Sequence, residues 1–400
     1  MLRPALLPSC FAVLCLASLG ARAQTVDCDD LPNPVYLQIG DTQENLIKRL
    51  GKHLRDSTVK PLTLVYLKGS SCVNVDVFES GALLNANPLY IPSVDEDPAW
   101  EPRQAAPSCV INPAGVALDI GNSATFISSC TGDPPPADVV RVSGAIQAYA
   151  FVVPEASNET VITAEEAYFV YGFGAIGAIA PWTTDSLILQ RTTTASTQLT
   201  LMANIGVPVD RAKGVEFQRS GQLLTTLTTS VDPQRTIGIL GVEVADAQRN
   251  VVNILAFRAF DQHLAWYPDK TSTSFDKQNV RDGHYVPWSP AEWMFHVDEQ
   301  GEPENPDARY VVDLLVGAPV TPAPDFDPIA DVIAVGAVPR CAMKVTRPFD
   351  GALLSPFAPD EPCGCFFEAV VDEPAPSCFA CNEDTPCAVG ACRHGFCEER

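Results

Sequence analysis

Four short segments, widely separated in the chain, each end an apolar or β-branched run in glycine or small hydroxyl residues where a helix can begin. They are Gly40-Asp41-Thr42 after Val35–Ile39, Gly69-Ser70-Ser71 after Leu62–Leu67, Gly121-Asn122-Ser123 after Val116–Ile120, and Arg191 with Ala195-Ser196-Thr197 after Leu187–Leu189. Repeated strand, turn and helix signals of this kind predict an α/β fold. At such junctions the first N–H groups of the helix lack internal partners and carry the positive end of its dipole. Converging helix starts therefore make a cradle for a phosphate-like oxyanion without any metal.

The stretches between these junctions agree with that reading. Residues 41–56 place Leu46, Ile47, Leu50 and Leu54 on one helical face, with Asp41 or Thr42 as the N-cap. Leu62–Leu67 is a continuous apolar run, as in a parallel strand buried on both faces. Gly144–Val153 predicts a strand ending at Pro154, and Thr163-Ala164-Glu165-Glu166 has capping-box spacing ahead of a helix ended by Gly172. Helices are expected at 196–204 and 220–230, and strands at Ile237–Leu240 and Val251–Phe257. Tyr310–Val316 reads as a strand between proline-rich loops.

Arg3, the apolar Phe11–Leu19 and Ala21-Arg22-Ala23 predict a secretory signal peptide over residues 1–23, too short for a membrane anchor. Twelve of the 14 cysteines follow it, and an even number in an exported chain favours disulfides over free thiols. Cys28, Cys72, Cys109 and Cys130 lie early, where Cys72, Cys109 and Cys130 are placed to tie down a proline- and acid-rich insertion at about 85–113. The pairing stays open at this point. The other eight crowd into Cys341–Cys397, in a tail with too little apolar mass for a core of its own. Zinc is the rival reading of Cys378-Phe379-Ala380-Cys381, disfavoured in an oxidising compartment.

The net charge is −23, and removal of Arg3 and Arg22 with the signal leaves −25, which makes nucleic acid and anionic membranes poor partners. A buried oxyanion site survives that acidity, because distant charges are screened over about 8–10 Å. Enzyme chemistry finds no motif. His53, His263, His284 and His296 have no H-E-x-x-H or C-x-x-C partners, and no G-x-S-x-G elbow occurs. Asp95-Glu96-Asp97 lacks the glycine turn of a calcium loop, and Trp266, Tyr267, Trp288 and Trp293 read as core. The expectation is a protein without catalytic residues, metal or cofactor.

In order along the chain, the segments resemble the phosphate-binding family of type II periplasmic solute-binding proteins. Val65–Ser71 resembles that family's strand and G-S-S turn, and Leu118–Ser123 its D-x-G-x-S-D segment. Ala148–Val153 resembles the crossover into the second lobe, and Arg191–Thr197 the R-x-x-x-S-G-T turn. Thr236–Ile239 and Tyr285–Trp288 are similar to two later strands. The resemblance covers roughly residues 34–290 and implies a two-lobed α/β fold with two crossover strands and ligand held between the lobes. It assigns Thr42, Ser70, Ser71, Ser123, Ser196 and Thr197 as hydroxyl or N–H donors to an inorganic or small organic oxyanion, with Arg191 as its charged partner. An ABC transporter permease, a monomeric state and a periplasmic or cell-surface location follow from the same likeness. The implied domains are lobe 1 over 24–148, lobe 2 over 149–255, a return to lobe 1 over 256–350, and a Cys-rich appendix over 351–400. Pro339–Val345 and Pro362–Glu368 are similar to uncharacterised exported proteins of myxobacteria, and Cys341 is matched with Cys363 or Cys365.

The departures from the family define the alternative. Ala124 stands where the family has a proton-accepting aspartate, Ala195-Ser196 replaces Ser-Gly, and Asp41 adds a negative charge to the first turn. Those features, and the appendix, favour a cell-surface or extracellular interaction protein that kept the fold and lost its small ligand. Hydroxyl residues at helix starts are also ordinary N-caps, and Arg191 equally suits a surface acid.

Overall fold

Two parallel strands, β1 (Pro34–Gly40) and β2 (Thr63–Gly69), run in register and end together, Gly40 opposite Gly69. The computed structural model describes residues 26–372, 374–382 and 387–399, so the signal peptide expected at 1–23 lies outside the described residues. Between the strands lies α1 (Glu44–Asp56), preceded by one 3-10 turn (Asp41–Gln43). Its Leu46, Ile47, Leu50 and Leu54 bury against Val35, Leu37, Ile39 and Leu64. Alternate β1 and β2 side chains, Tyr36 and Val65, enter a second cluster on the other face of the sheet with Phe78 of α2 (Ser71–Glu79). Covering on both faces explains the unbroken apolar runs.

β3 (Leu89–Tyr90) edges β2, and β4 (Ile120–Ser123) pairs parallel to β1. The 16-residue β5 (Val139–Pro154) then leaves the first lobe. Its first part pairs with β12 (Trp288–His296), and its last part pairs with β9 (Gly238–Gly241) and β10 (Val252–Ile254). Tyr149 N–H donates to Pro287 O at 2.9 Å, so the chain returns to the first lobe alongside β5.

The second lobe holds β6 (Val161–Thr163), α3 (Ala164–Phe173), β7 (Leu189–Arg191), α4 (Ser196–Ile205), β8 (Val215–Phe217), α5 (Ser220–Thr228), α6 (Val242–Asp246) and β11 (Ala256–Arg258) around Phe151, Tyr171, Leu201 and Ile239. The capping box at Thr163 and Glu166 is present, and Gly206 ends α4 in the left-handed conformation. After α7 (Gln278–Arg281) and β12 come α8 (Pro306–Val316) and α9 (Pro328–Ala334).

Four readings need correction. Neither Asp41 nor Thr42 caps the first helix: Gly40 is the N-cap of the 3-10 turn and Gln43 that of α1, and Thr42 Oγ1 has no partner. The second lobe runs past residue 255, because β11 pairs with β6. Tyr310–Val316 is helix: Asn305 accepts from Asp307 N and Ala308 N, Pro306 fills the first turn, and the β-branched pair Val311-Val312 packs as a helical face. No helix starts at Ser123, which ends strand β4. Its Oγ donates to Thr125 O and accepts from Thr125 N, tying a turn before a short 3-10 segment at Ile127–Ser129.

All twelve cysteines from Cys28 onward are paired, as 28–109, 72–130, 341–363, 365–378, 381–392 and 387–397. The first closes the insertion onto the N-terminal segment. Cys378 and Cys381, the pair on which the zinc alternative rests, are bridged to Cys365 and Cys392 and offer no thiolate, and the sulfurs of Cys381, Cys387 and Cys397 lie close together because they belong to neighbouring bridges. Residues 345–356 form a strap whose ends pair as β13 (Val345–Thr346) and β14 (Ser355–Pro356), followed by α10 (Gly364–Val371) and the hairpin β15 (Ala391–Arg393) with β16 (Phe396–Glu398). No described helix is long and apolar enough to cross a membrane.

Candidate functional site

Because β1 and β2 are parallel and end together, the helix starts that follow them lie at the same edge of the sheet, where open α/β sheets hold ligands. From the second lobe, the turn after β7 brings the start of α4 to the same seam. Thr194 O accepts from Cys72 N at 3.2 Å, and Thr194 Oγ1 lies 2.7 Å from Ser70 Oγ. Arg219 Nη2 adds a bond of 3.0 Å to Lys68 O. The N-cap positions Gly40, Ser70 and Ala195 provide no side-chain cap bond, so these helix starts face the seam uncapped.

Arg191 is buried, yet its fork is largely spent within the protein. Nε donates to Phe217 O at 3.2 Å, Nη2 to Gln218 O at 2.9 Å and to Asp41 Oδ2 at 3.2 Å, and Nη1 to Ser220 Oγ. The same Asp41 oxygen accepts from Ser220 N at 3.1 Å, at the start of α5. A carboxylate of lobe 1 thus meets an arginine and a helix start of lobe 2. Burial lowers the Arg191 pKa, and the Asp41 charge opposes that shift.

The other expected donors divide. Ser71 Oγ accepts from Ala124 N at 3.1 Å, Tyr149 Oη donates to Ala124 O, and Ser196 lies beside the same phenol. Ser70, Ser71, Arg191 and Ser196 therefore share one seam, whereas the Ser123 hydroxyl is consumed by its own turn. Thr42 Oγ1 and Thr197 Oγ1 are buried without a hydrogen-bond partner. Each belongs to the second residue after an uncapped helix start, Thr42 in lobe 1 and Thr197 in lobe 2.

Glu243 repeats the pattern and was not anticipated. It is the second residue of α6, its Oε1 has no partner, and its Oε2 accepts from Gln147 Nε2. Gln147 Oε1 accepts in turn from Gln43 Nε2 at 2.8 Å, beside Thr42. Burial pushes the Glu243 carboxyl well above its ordinary value; the Asp41 and Asp246 charges add to the shift and Arg191 opposes it. A cleft of about 590 Å³ opens beside it, between Asn45 and Arg49 of α1 and Glu243 and Asp246 of α6. The glycine before α6 is the sequence signal that was available: Gly241-Val242 ends a β-branched run as Gly40 does.

The arrangement offers unpartnered hydroxyls at uncapped helix starts, beside an arginine already paired with Asp41, and hydrogen-bond donors of that kind suit an anion. No family model and no curated protein sequence matches the chain. Solved structures do. A Clostridium perfringens protein described as a phosphate ABC transporter substrate-binding protein, solved with bound phosphate, covers 77% of this chain and 99% of its own length at TM-score 0.51 and 12% identity. An ABC-type phosphate transport receptor from Vibrio cholerae covers 76% and 99% at TM-score 0.45 and 10% identity. The reduced OxyR regulatory domain from Pseudomonas aeruginosa covers 72% and 95% at TM-score 0.41 and 12% identity. At such identity the likeness to the first establishes the fold: two α/β lobes of the type II periplasmic-binding-protein kind, here with a disulfide-rich C-terminal addition.

Proposed function

We propose that this chain is an exported, non-catalytic solute-binding protein that holds a small tetrahedral oxyanion between its lobes, with phosphate the first candidate. The observation that carries this is the pair Thr42 Oγ1 and Thr197 Oγ1, one from each lobe, both buried and unpartnered at uncapped helix starts. A buried hydroxyl left unpaired costs about 1–3 kcal/mol. An anion at the helix starts would accept from both hydroxyls and from the free N–H groups beside them. The shared fold with a protein solved with bound phosphate supports the same reading. The inferred partner is an ABC transporter permease, and the inferred location is the periplasm or cell surface, where the six disulfides are stable.

Calorimetric titration of the chain from Gln24 onward with phosphate, sulfate and small carboxylates tests this. Micromolar or tighter binding of one anion, weakened in Thr42→Val and Thr197→Val, is the expected result. Silence across the panel would overturn the proposal and leave an interaction protein on a retired binding fold.

A further inference from the structure

Away from the seam of Arg191, the strap covers a second concentration of unsatisfied donors. Arg347 is 5% exposed, and its guanidinium lies 4.3 Å over the Trp288 ring. Its Nη1 reaches Asn204 Oδ1 only at 3.5 Å, and its Nη2 stands 4.0 Å from Asp350 Oδ1. Nε and Nη2 of Arg347 and Nε1 of Trp288 are all buried without a hydrogen-bond partner. Both residues line one cavity of about 70 Å³, walled by Phe126, Ile146 and Pro290 and roofed by Met343, Val345 and Phe357. Arg340 and Thr346 also line it, as does Ser143, which spends its hydroxyl on Glu292 Oε1 at 3.1 Å.

Three N–H groups without acceptors, on residues that line one cavity, call for an acceptor there. Charge decides which kind. Arg347 brings a buried positive charge that Asp350 meets only at 4.0 Å, the exposed Arg340 lines the same cavity, and burial raises the pKa of the Glu292 carboxyl nearby. Burial also lowers Arg347, to about 10, which leaves it charged at neutral pH. Water would bring hydrogens of its own to a cavity already rich in donors. We infer that this cavity binds a small monoanion, chloride being the simplest, which bonds Arg347 and the Trp288 indole and so fastens the strap to β12. The site is independent of the interlobe cradle and stands whether or not that cradle binds phosphate.

Bromide is the probe. Crystals of the chain from Gln24 onward grown in sodium bromide should show an anomalous peak between Arg347 and Trp288. Thermal unfolding at constant ionic strength should give a melting temperature that rises with the logarithm of bromide concentration when bromide replaces gluconate. Trp288→Phe keeps the ring beneath the guanidinium and removes one donor, and it should weaken that dependence by about half or more. Water alone at the position, or equal melting in bromide and gluconate, overturns the inference. Because both results can be read on the unsubstituted protein, a variant that fails to fold does not shield it.

Discussion

Two polar clusters join the lobes, and their ingredients are alike: buried hydroxyls, an aspartate and an arginine. In the strap cluster, Asp350 accepts from Thr125 Oγ1 at 2.6 Å and Ser129 Oγ at 2.5 Å in lobe 1, from Thr200 Oγ1 at 3.3 Å in lobe 2, and from Ser289 Oγ at the start of β12. Every one of those hydroxyls has a partner. At the other cluster Asp41 turns away from the hydroxyls toward Arg191 and Ser220 N, and Thr42 and Thr197 are left over. The strap cluster shows what an oxyanion cradle looks like when the protein fills it with its own carboxylate. A ligand site is therefore marked by the donors that remain once internal carboxylates have been assigned, more than by the hydroxyls or the arginine themselves.

Asp350→Ala is the largest test of that contrast. It strips the acceptor from four hydroxyls and removes the carboxylate paired with buried Arg347, so urea denaturation should show a loss of about 3–5 kcal/mol. Sulfate or phosphate should restore part of it by occupying the emptied acceptor position. If neither does, the two clusters are not equivalent and the comparison breaks. Arg191→Ala acts on the other side. Removing one buried charged partner should weaken phosphate binding by about 2–5 kcal/mol in the same calorimetric titration. Unchanged affinity would mean that Arg191 serves only its partners within the protein, Asp41, Phe217, Gln218 and Ser220.

Glu243 sharpens the comparison through pH. Its folded-state pKa is raised above the ordinary value of 4.5 by burial first and by Asp41 and Asp246 next. Protons bound more tightly when folded make stability highest at low pH, and that stability is lost as pH rises through the folded value. Glu243→Gln keeps an acceptor for Gln147 and removes the titration. It should flatten the fall as pH rises above the ordinary carboxyl value of 4.5, giving a variant near wild-type stability at the acid end and above it at the alkaline end. Parallel curves for the two proteins would show that Glu243 ionises freely.

Much of the fold was readable because its signals are local. Gly40, Gly69 and Ser196 each sit where a short apolar run gives way to a helical period, and the structure places a helix start within a few residues of every one. Where the local pattern was ambiguous it misled: Gly121-Asn122-Ser123 has the same composition but stays in β4, and Tyr310–Val316 follows the Asn305-Pro306 cap in place of its β-branched content. The site was legible only in part for a different reason. Asp41 meets Arg191 across 150 residues, and Asp350 reaches Thr125 across 225. Neither pairing leaves any periodic trace, so sequence could name the donors but not say which of them the protein itself would satisfy.

The smallest effect separates the clusters most cleanly, because one substitution should change sign between them. Thr200 Oγ1 lies 3.0 Å from Thr125 Oγ1 and 3.1 Å from Ser289 Oγ. Thr200→Val removes a bonded hydroxyl and should cost about 0.5–1.5 kcal/mol. Thr197→Val removes a hydroxyl that has no partner, at nearly the same volume, so the anion-free protein should be unchanged or more stable by about 1 kcal/mol. Saturating phosphate should reverse that ranking, since the anion then bonds wild-type Thr197 and finds only a methyl group in the variant. Urea midpoints for both variants, with and without phosphate, measure all four quantities. If Thr197→Val destabilises the anion-free chain as Thr200→Val does, its hydroxyl already has a partner and the two clusters are of one kind.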